Sequence, residues 1–381
     1  MAINPEEFYN EIERCGIKLF TGVPDSLLKE FCLCVDDRIS KNTHIIAANE
    51  GNAIAIAAGY YLAEKSVPLV YMQNSGLGNA VNPLLSLCDP DVYSIPMLLM
   101  IGWRGEPGVN DEPQHVKQGK IQIELMKTLG IPFEIISKDD LDYKSKISTC
   151  IEIAKSKNRP SALLIKNGTF DKYNSSNYTD ETSVIEDCRM KREEALEIIL
   201  KNLDENTIVV STTGKTSREI FEIRENSNQT HNQDFLTVGS MGHCSSIALG
   251  IALAKPHRNV ICIDGDGAML MHLGSLTSIS SLKPKNFRHI LMNNEAHESV
   301  GGQKTVAKEI ELSDIVKATG IGKIVKTETA HDLKAQIIDF ITGDGPSFLE
   351  VKIRPGSRQD LGRPVIKPSD NKENFMKFLE E

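Results

Sequence analysis

The sequence predicts an α/β protein made of two tandem parallel-sheet, three-layer domains with no middle domain. Short, nearly continuous apolar runs alternate with helix-length segments, as expected for strands buried on both faces. The alternation occurs twice, on either side of a polar stretch, FDKYNSSNYTDETSVIEDCRMKREE, that has almost no apolar periodicity. A chain of 381 residues is long enough for two domains of ordinary size. The expected division is residues 1–170, a linker over 171–192, and residues 193–381.

In chain order, residues 5–15 read as a helix and Ile17 to Phe20 as a short strand. Gly22-Val-Pro-Asp25 turns the chain, and a helix resumes from Ser26 to Val35. The apolar run His44 to Ala47 leads into AANEGNAIAIAAGYYLA, a small-residue helix. Glu50 lies near its start, where a negative charge favours the helix N-terminus. Pro68 to Met72 is a strand, followed by a Gly-rich turn and helix over 74–87. Pro96 to Ile101, Phe133 to Ile136 and Ser161 to Ile165 read as strands, with a helix from Gln118 to Leu129. Beyond the polar stretch, strands are expected at Thr207 to Ser211, Asn259 to Asp264, Phe287 to Asn293 and Phe348 to Lys352. Helices are expected over 217–226, 243–254, 270–282, 304–309, 312–318 and 329–341. The stretch RPGSRQDLGRPVIKPSD, rich in Pro, Gly and Arg, is expected to be irregular.

Apolar content of 40% and charged content of 25% suit a soluble globular protein. A net charge of -9 argues against nucleic acid as the main partner, while leaving room for a local basic pocket. MAINPEEFYNEIERCG lacks a basic region followed by an apolar core, so no signal peptide is expected. No apolar run reaches the roughly 18 residues of a membrane span, so no membrane partner is expected. The eight cysteines (Cys15, Cys32, Cys34, Cys88, Cys150, Cys188, Cys244, Cys262) are scattered without a CxxC pair. The Cys32–Cys34 pair alone is too little for a zinc or iron–sulfur site. Free thiols in a reducing cytoplasm are the expectation.

The strongest local signal is ICIDGDGAMLMHLGSLTSISSLKPKNFRHILMNNEAH. A strand ends at Asp264, Gly265-Asp266-Gly267 follows, and a helix is expected to begin near Met269. Glycines permit a tight turn, backbone N–H groups at a helix start suit a phosphate, and Asp266 is a hard oxygen ligand of the kind magnesium takes. Asn293-Asn294 ends the next strand, where parallel sheets bind ligands. No GxGxxG follows the first strand, and TTGKTSRE lacks the upstream glycine of a P-loop. It reads instead as a turn whose Thr213 and Gly214 reach a phosphate, or as an ordinary capped helix start.

GDG followed by NN resembles the diphosphate motif of thiamine-diphosphate-dependent enzymes, and the chain is similar to their 2-oxo acid decarboxylases over essentially its whole length. The resemblance implies the thiamine-diphosphate-binding fold, with an aminopyrimidine-binding first half and a diphosphate-binding second half. It implies thiamine diphosphate and Mg2+ as cofactors, the metal held by Asp266, Asn294 and the carbonyl of Ala296. The diphosphate is expected on Gly265, Gly267 and Ala268. Ala268 stands where many members carry a serine, so that contact falls to the backbone. In TVGSMGHCSSIALGIALA, Gly239 is expected to accept from the cofactor's amino group, and Met241 to wedge its two rings into a bent shape; without the family, Met241 is simply a core methionine.

The same resemblance makes Glu50 the acid that hydrogen-bonds the pyrimidine ring. The stretches TGVPDSLL, QNSGLGNAVNPL, GWRGEPGVNDEPQH and NNEAHESVGGQKT are similar to those of members acting on 2-oxo acids with a phosphonate or sulfonate tail. The implied reaction is decarboxylation of 3-phosphonopyruvate to phosphonoacetaldehyde and carbon dioxide, begun by addition of the cofactor through its C2 carbon. Alternatives are a sulfopyruvate or other 2-oxo acid decarboxylase, an acyl-transferring synthase, or a non-catalytic cofactor-binding scaffold. Asp25 and His115 are candidate proton relays; Asp25 otherwise caps a helix, and His115 otherwise bonds a loop. Arg104, Asn74, Ser75 and His297 are candidate substrate-binding residues, with Asn79, Lys304 and Arg358 as further possibilities. Trp103 is either part of that site or a packing anchor. The family also implies a homodimer or higher homo-oligomer, with Glu50 of one chain serving the cofactor held by Asp266 and Asn294 of another.

Overall fold

The computed structural model describes residues 2–175 and 189–381. The chain divides into two compact units, each carrying one six-stranded, all-parallel sheet. In the first, the strands are β1 (Phe20–Gly22), β2 (His44–Ile46), β3 (Leu69–Gln73), β4 (Leu98–Gly102), β5 (Phe133–Ile136) and β6 (Ser161–Ile165), in the order β2-β1-β3-β4-β6-β5. The second holds β7 (Ile208–Ser211), β8 (Asp234–Leu236), β9 (Val260–Gly265), β10 (Phe287–Asn293), β11 (Lys323–Thr327) and β12 (Ser347–Lys352), in the order β11-β12-β10-β9-β7-β8. Read from the opposite edge, both sheets run second, first, third, fourth, sixth, fifth strand. The direction of travel reverses beside the first strand of each, which makes the switch point at the carboxyl ends of the first and third strands the ligand-binding crevice of such a sheet.

Alternate residues of each strand feed different cores, as the two-residue period of a strand requires. Leu69 and Tyr71 join one layer with Phe8, Phe31 and Ile147, while Val70 and Met72 join another with Ala53, Ile54 and Ala57. In the second unit Ile261 and Ile263 pack with Leu196 and Ile337, and Val260 and Cys262 with Ala248 and Leu276. Helices therefore cover both faces of both sheets, and the three-layer expectation is met. Each fully buried aliphatic side chain contributes on the order of 1.5–3 kcal/mol.

Several boundaries differ from the expectation. The first strand is Phe20–Gly22, not Ile17 to Phe20, and the next helix is Lys29–Arg38, starting three residues after Ser26. The helix expected to begin near Met269 starts at Asp266 and stops at Met271; a second, Ser275–Leu282, follows across Gly274. Helices Tyr143–Lys157 and Arg192–Lys201 and the strands β8 and β11 were not anticipated. The Pro-rich tail ends in a helix, Pro368–Glu380. The start of the polar stretch is ordered on the first unit. Phe170 bridges Ile3 in parallel, and the Tyr173 N–H donates to Glu30. Residues 176–188 of that linker, with Cys188, lie outside the described residues. Among the described residues no helix is long and apolar enough to cross a membrane.

Candidate active-site clusters

Glu50 is the first residue of the helix Glu50–Glu64, capped by Asn49, whose side chain accepts from the Asn52 N–H at 2.9 Å. The helix-end reading therefore holds, but the carboxylate does not face water. It is buried and accepts from Asn79 Nδ2 at 2.8 Å. Burial raises its pKa against the opposing hydrogen bond from Asn79. Gly76 makes room for it, because a Cβ there would lie 2.3 Å from Glu50 Oε1.

A second group gathers at the carboxyl ends of β1 and β4. Asp25 follows β1 and is 1% exposed, with Oδ1 unpartnered and Oδ2 accepting the Leu27 N–H at 3.1 Å. It does not cap the following helix, whose N-cap is Leu28. Desolvation pushes Asp25 up to about 6, with Arg104 opposing. A Cβ at Gly102 would strike Asp25 Oδ2. Arg104 sits in the loop after β4. Its Nε donates to Asp111 at 2.8 Å, its Nη2 to the same carboxylate at 2.5 Å, and its Nη1 to Ser26 Oγ at 2.8 Å. Two of its five N–H donors remain for an anion. Asp111 also accepts from His115 Nδ1 at 2.9 Å. Burial works to raise Asp111, but hydrogen bonds from Arg104 and His115 hold its carboxyl well below the usual range. Desolvation lowers the His115 pKa, which Asp111 opposes and Arg104 reinforces, so the ring is neutral at neutral pH with Nε2 free to act as a base. Asp111 is the organising residue here, and sequence reading missed it. Its only signal is its place four residues before His115, just ahead of the helix Pro113–Thr128.

Asn74 is fully engaged: its Nδ2 donates to the Arg104 carbonyl at 2.8 Å, and its Oδ1 accepts the Arg104 N–H at 3.2 Å. It fixes the Arg104 loop. Ser75 is exposed and donates to Gln73. Trp103 is a packing anchor that donates from Nε1 to the Gly119 carbonyl at 3.0 Å. Arg358 is engaged by Glu193, Glu222 and Asp360, and Lys304 is exposed.

In the second unit, the loops after β7, β8, β9 and β10 carry the other predicted residues. Thr213 Oγ1 accepts from the Gly239 N–H at 3.0 Å, tying the two predicted loops together. Gly214 has φ +97° and leads directly into the helix Lys215–Asn226. Asp266 opens its helix and is buried; Thr305 Oγ1 donates to it at 2.5 Å. Desolvation pushes Asp266 up to about 6, with Thr305 opposing. Asn294 Nδ2 donates to Glu298 at 2.9 Å, and its Oδ1 accepts the Ala296 N–H at 3.2 Å. Glu298 in turn accepts from Arg192 and Lys215, both at 2.8 Å. Glu295, between Asn294 and Ala296, takes φ +60°, which folds this loop back on itself. The His297 ring stands over the glycine loop, since a Cβ at Gly267 would lie 2.9 Å from its Cε1 and 3.5 Å from Met241 Cε. Burial pushes His297 down to about 4, so it is a neutral ring. Thr305 and Glu298 had no sequence signal, because their roles depend on contacts distant in the chain.

These residues fit a magnesium diphosphate. The expected donor set of one carboxylate, one amide oxygen and one backbone carbonyl is all oxygen, as a hard cation requires. Asp266 is a buried carboxylate with a hydroxyl for company and no cation, which a metal would return to its charged form. Gly267 leaves the space beside His297 that any side chain would fill.

The family model described as thiamine pyrophosphate enzyme, N-terminal TPP binding domain, matches residues 6–126, and that for the C-terminal TPP binding domain matches residues 212–351. Phosphonopyruvate decarboxylases from Streptomyces hygroscopicus and Streptomyces viridochromogenes are each 32% identical over 96% of this chain, covering 91% and 92% of theirs. A sulfopyruvate decarboxylase from Methanosarcina acetivorans is 28% identical over 100% of this chain and 98% of its own. The chain belongs to the thiamine pyrophosphate enzyme family.

Proposed function

We propose that this chain is a thiamine-diphosphate- and Mg2+-dependent carboxy-lyase that converts 3-phosphonopyruvate to phosphonoacetaldehyde and carbon dioxide. The observation that carries the substrate choice is the near full-length likeness to phosphonopyruvate decarboxylases, at 32% identity against 28% for the sulfopyruvate enzyme. Residues 1–170 serve as the aminopyrimidine side and 193–381 as the diphosphate side. Asp266, the Asn294 amide oxygen and the Ala296 carbonyl hold the metal. Thr213, Gly214, Gly265, Gly267 and Ala268 hold the diphosphate, and Gly239 and Met241 the middle of the cofactor. When bound, thiamine diphosphate supplies an electron sink for the carbon that loses carbon dioxide.

The chain's own residues orient and protonate. Glu50, buried and raised, shares a proton with a ring nitrogen of the aminopyrimidine instead of with water. Asp25, raised to about 6, keeps a minor protonated fraction near neutrality, about a tenth at pH 7, and that form donates as an acid. His115, neutral and held by Asp111, accepts and returns protons at Nε2. Arg104 offers its two remaining N–H groups to the phosphonate, with its loop fixed by Asn74; Ser75 and His297 complete the substrate side. We further propose a homo-oligomer in which Glu50 of one chain serves the cofactor held by another. The described cysteines are all free thiols, in keeping with a cytoplasmic setting.

A panel of short 2-oxo acids with carboxylate, sulfonate or phosphonate tails, assayed with Mg2+ and thiamine diphosphate, tests the reading. Aldehyde should form from phosphonopyruvate with kcat/KM about 10²-fold or more above that for pyruvate. Turnover of sulfopyruvate with none of phosphonopyruvate overturns the substrate choice. Cofactor binding without product from any 2-oxo acid leaves the scaffold reading standing.

A further inference from the structure

One face of the second sheet carries a cluster of ligand-type side chains that the proposed reaction does not use. Cys262 and Asp264 are two residues apart on β9 and so share a face. The register pairs His289 of β10 directly with Cys262. Cys244 comes down from the start of the helix Cys244–Ala254, which packs on this face beside Cys262. All four side chains are at most 1% exposed.

The donor atoms converge. Cys244 and Cys262 Sγ are 3.7 Å apart. Their sulfurs and an Asp264 carboxylate oxygen all lie within 4.8 Å of one another. A tetrahedral zinc with about 2.3 Å zinc–sulfur bonds sets its two sulfurs about 3.8 Å apart, so this edge is already of the right length. His289 Nε2 lies 3.3 Å from Asp264 Oδ2 but out of line for a hydrogen bond. Asp264 Oδ2 and both His289 ring nitrogens find no hydrogen-bond partner among the described residues. The surroundings are otherwise apolar: Phe287 and Phe348 meet the His289 ring edge-on. Unpartnered buried polar groups are rare in native cores, and a shared ion is one way to satisfy them together.

We propose that Cys244, Cys262 and Asp264 bind a divalent cation of the zinc class, with the His289 ring, 3.3 Å from Asp264 Oδ2, turning to donate to that carboxylate once the metal is bound. The two sulfurs exclude magnesium, which takes oxygen, and favour a softer metal. Binding converts two thiols to thiolates and releases two protons to solvent. The site shares no ligand with Asp266 and Asn294, although Asp264 Oδ1 also accepts the Gly265 N–H at 2.9 Å.

The test uses the full chain, stripped with chelator under reducing conditions and titrated with Co2+ alone, in excess Mg2+. One equivalent should bind and produce a thiolate-to-cobalt charge-transfer band, which an all-oxygen site cannot give. Cys244→Ala and Cys262→Ala should abolish the band, while Asp266→Asn leaves it intact. His289→Ala should weaken binding about 10–100-fold, as loss of an orienting partner does. Absence of a thiolate band in the wild-type chain, or a band that survives both cysteine substitutions, overturns the proposal. Should either cysteine variant fail to fold, zinc-edge X-ray absorption on the zinc-loaded wild type decides: two sulfur ligands support the site, and none refutes it.

Discussion

Glu50 shows how one residue satisfies two demands. As the first residue of a capped helix it stabilises the N-terminus, and as a buried carboxylate with one amide donor it keeps a raised pKa. Glu50→Gln retains the size and the helix position but cannot share a proton. It should lower kcat by about 10²–10⁴-fold with little change in thermal midpoint, read by steady-state kinetics and calorimetry. Asp25 makes the opposite kind of prediction. Its folded-state pKa, about 6, lies above the ordinary 3.8, so the folded chain binds more protons than the unfolded one between those values. Stability from this group is therefore present at low pH and lost as pH rises from about 4 to about 6, by up to about 3 kcal/mol. Asp25→Asn should raise the thermal midpoint of the cofactor-free chain at pH 8, flatten that part of its stability–pH curve, and lower kcat. An unchanged pH curve refutes the burial argument. Glu50 and Asp266 were legible because their neighbours in sequence define their setting. Asp111 and Thr305 were not, because each earns its place through a partner reached only by folding: Arg104 for one, and Asp266, 39 residues away, for the other.

At the scale of elements, buried strands were the easiest to read. Phe287–Asn293 is apolar apart from Arg288, His289 and Asn293, and both its ends match the expectation. Edge strands were the hardest. β11 is Lys323-Ile-Val-Lys-Thr327, half-buried along most of its length, and alternation there is too weak to set it apart from a loop. The helix Tyr143–Lys157 escaped because its buried positions, Tyr143, Ile147, Cys150, Ile151 and Ala154, lie among seven lysines and serines that dilute the pattern. The turn after β3 yields a specific test of element geometry. Gly76 closes the short turn Asn74–Gly76 before the helix Leu77–Pro83, and its missing Cβ is the space that Glu50 fills. Gly76→Ala should leave the fold intact, because the displaced atoms belong to a long side chain, yet lower kcat toward the Glu50→Gln level. Wild-type kinetics in that variant would show that the Glu50 carboxylate need not stay where the helix places it.

For the whole molecule, the two sheets share one strand order, so the same crevice recurs in each unit, beside β1 and β3 and beside β7 and β9. The sequence carries this repeat only as architecture, since apolar alternation reports strands and helices but not which strands are neighbours. Two such crevices, one beside the buried Glu50 and one beside the proposed metal-and-diphosphate loop, raise the question of whose residues complete a site. If Glu50 of one chain serves the cofactor bound by a second, then Glu50→Gln and Asp266→Asn should complement each other. Each variant alone is inactive. When the two are mixed and allowed to exchange chains, half of the pairs are hybrids, and each hybrid has one site with neither substitution and one with both. Activity should return to about a quarter of the wild-type value for random exchange within a two-chain unit. Because the two substitutions change the mass equally, one variant is labelled with 15N, and native mass measurement of the intermediate-mass pair confirms that exchange occurred. If hybrids form and activity stays at the background of the separate variants, each site is completed within a single chain and the shared-site proposal fails.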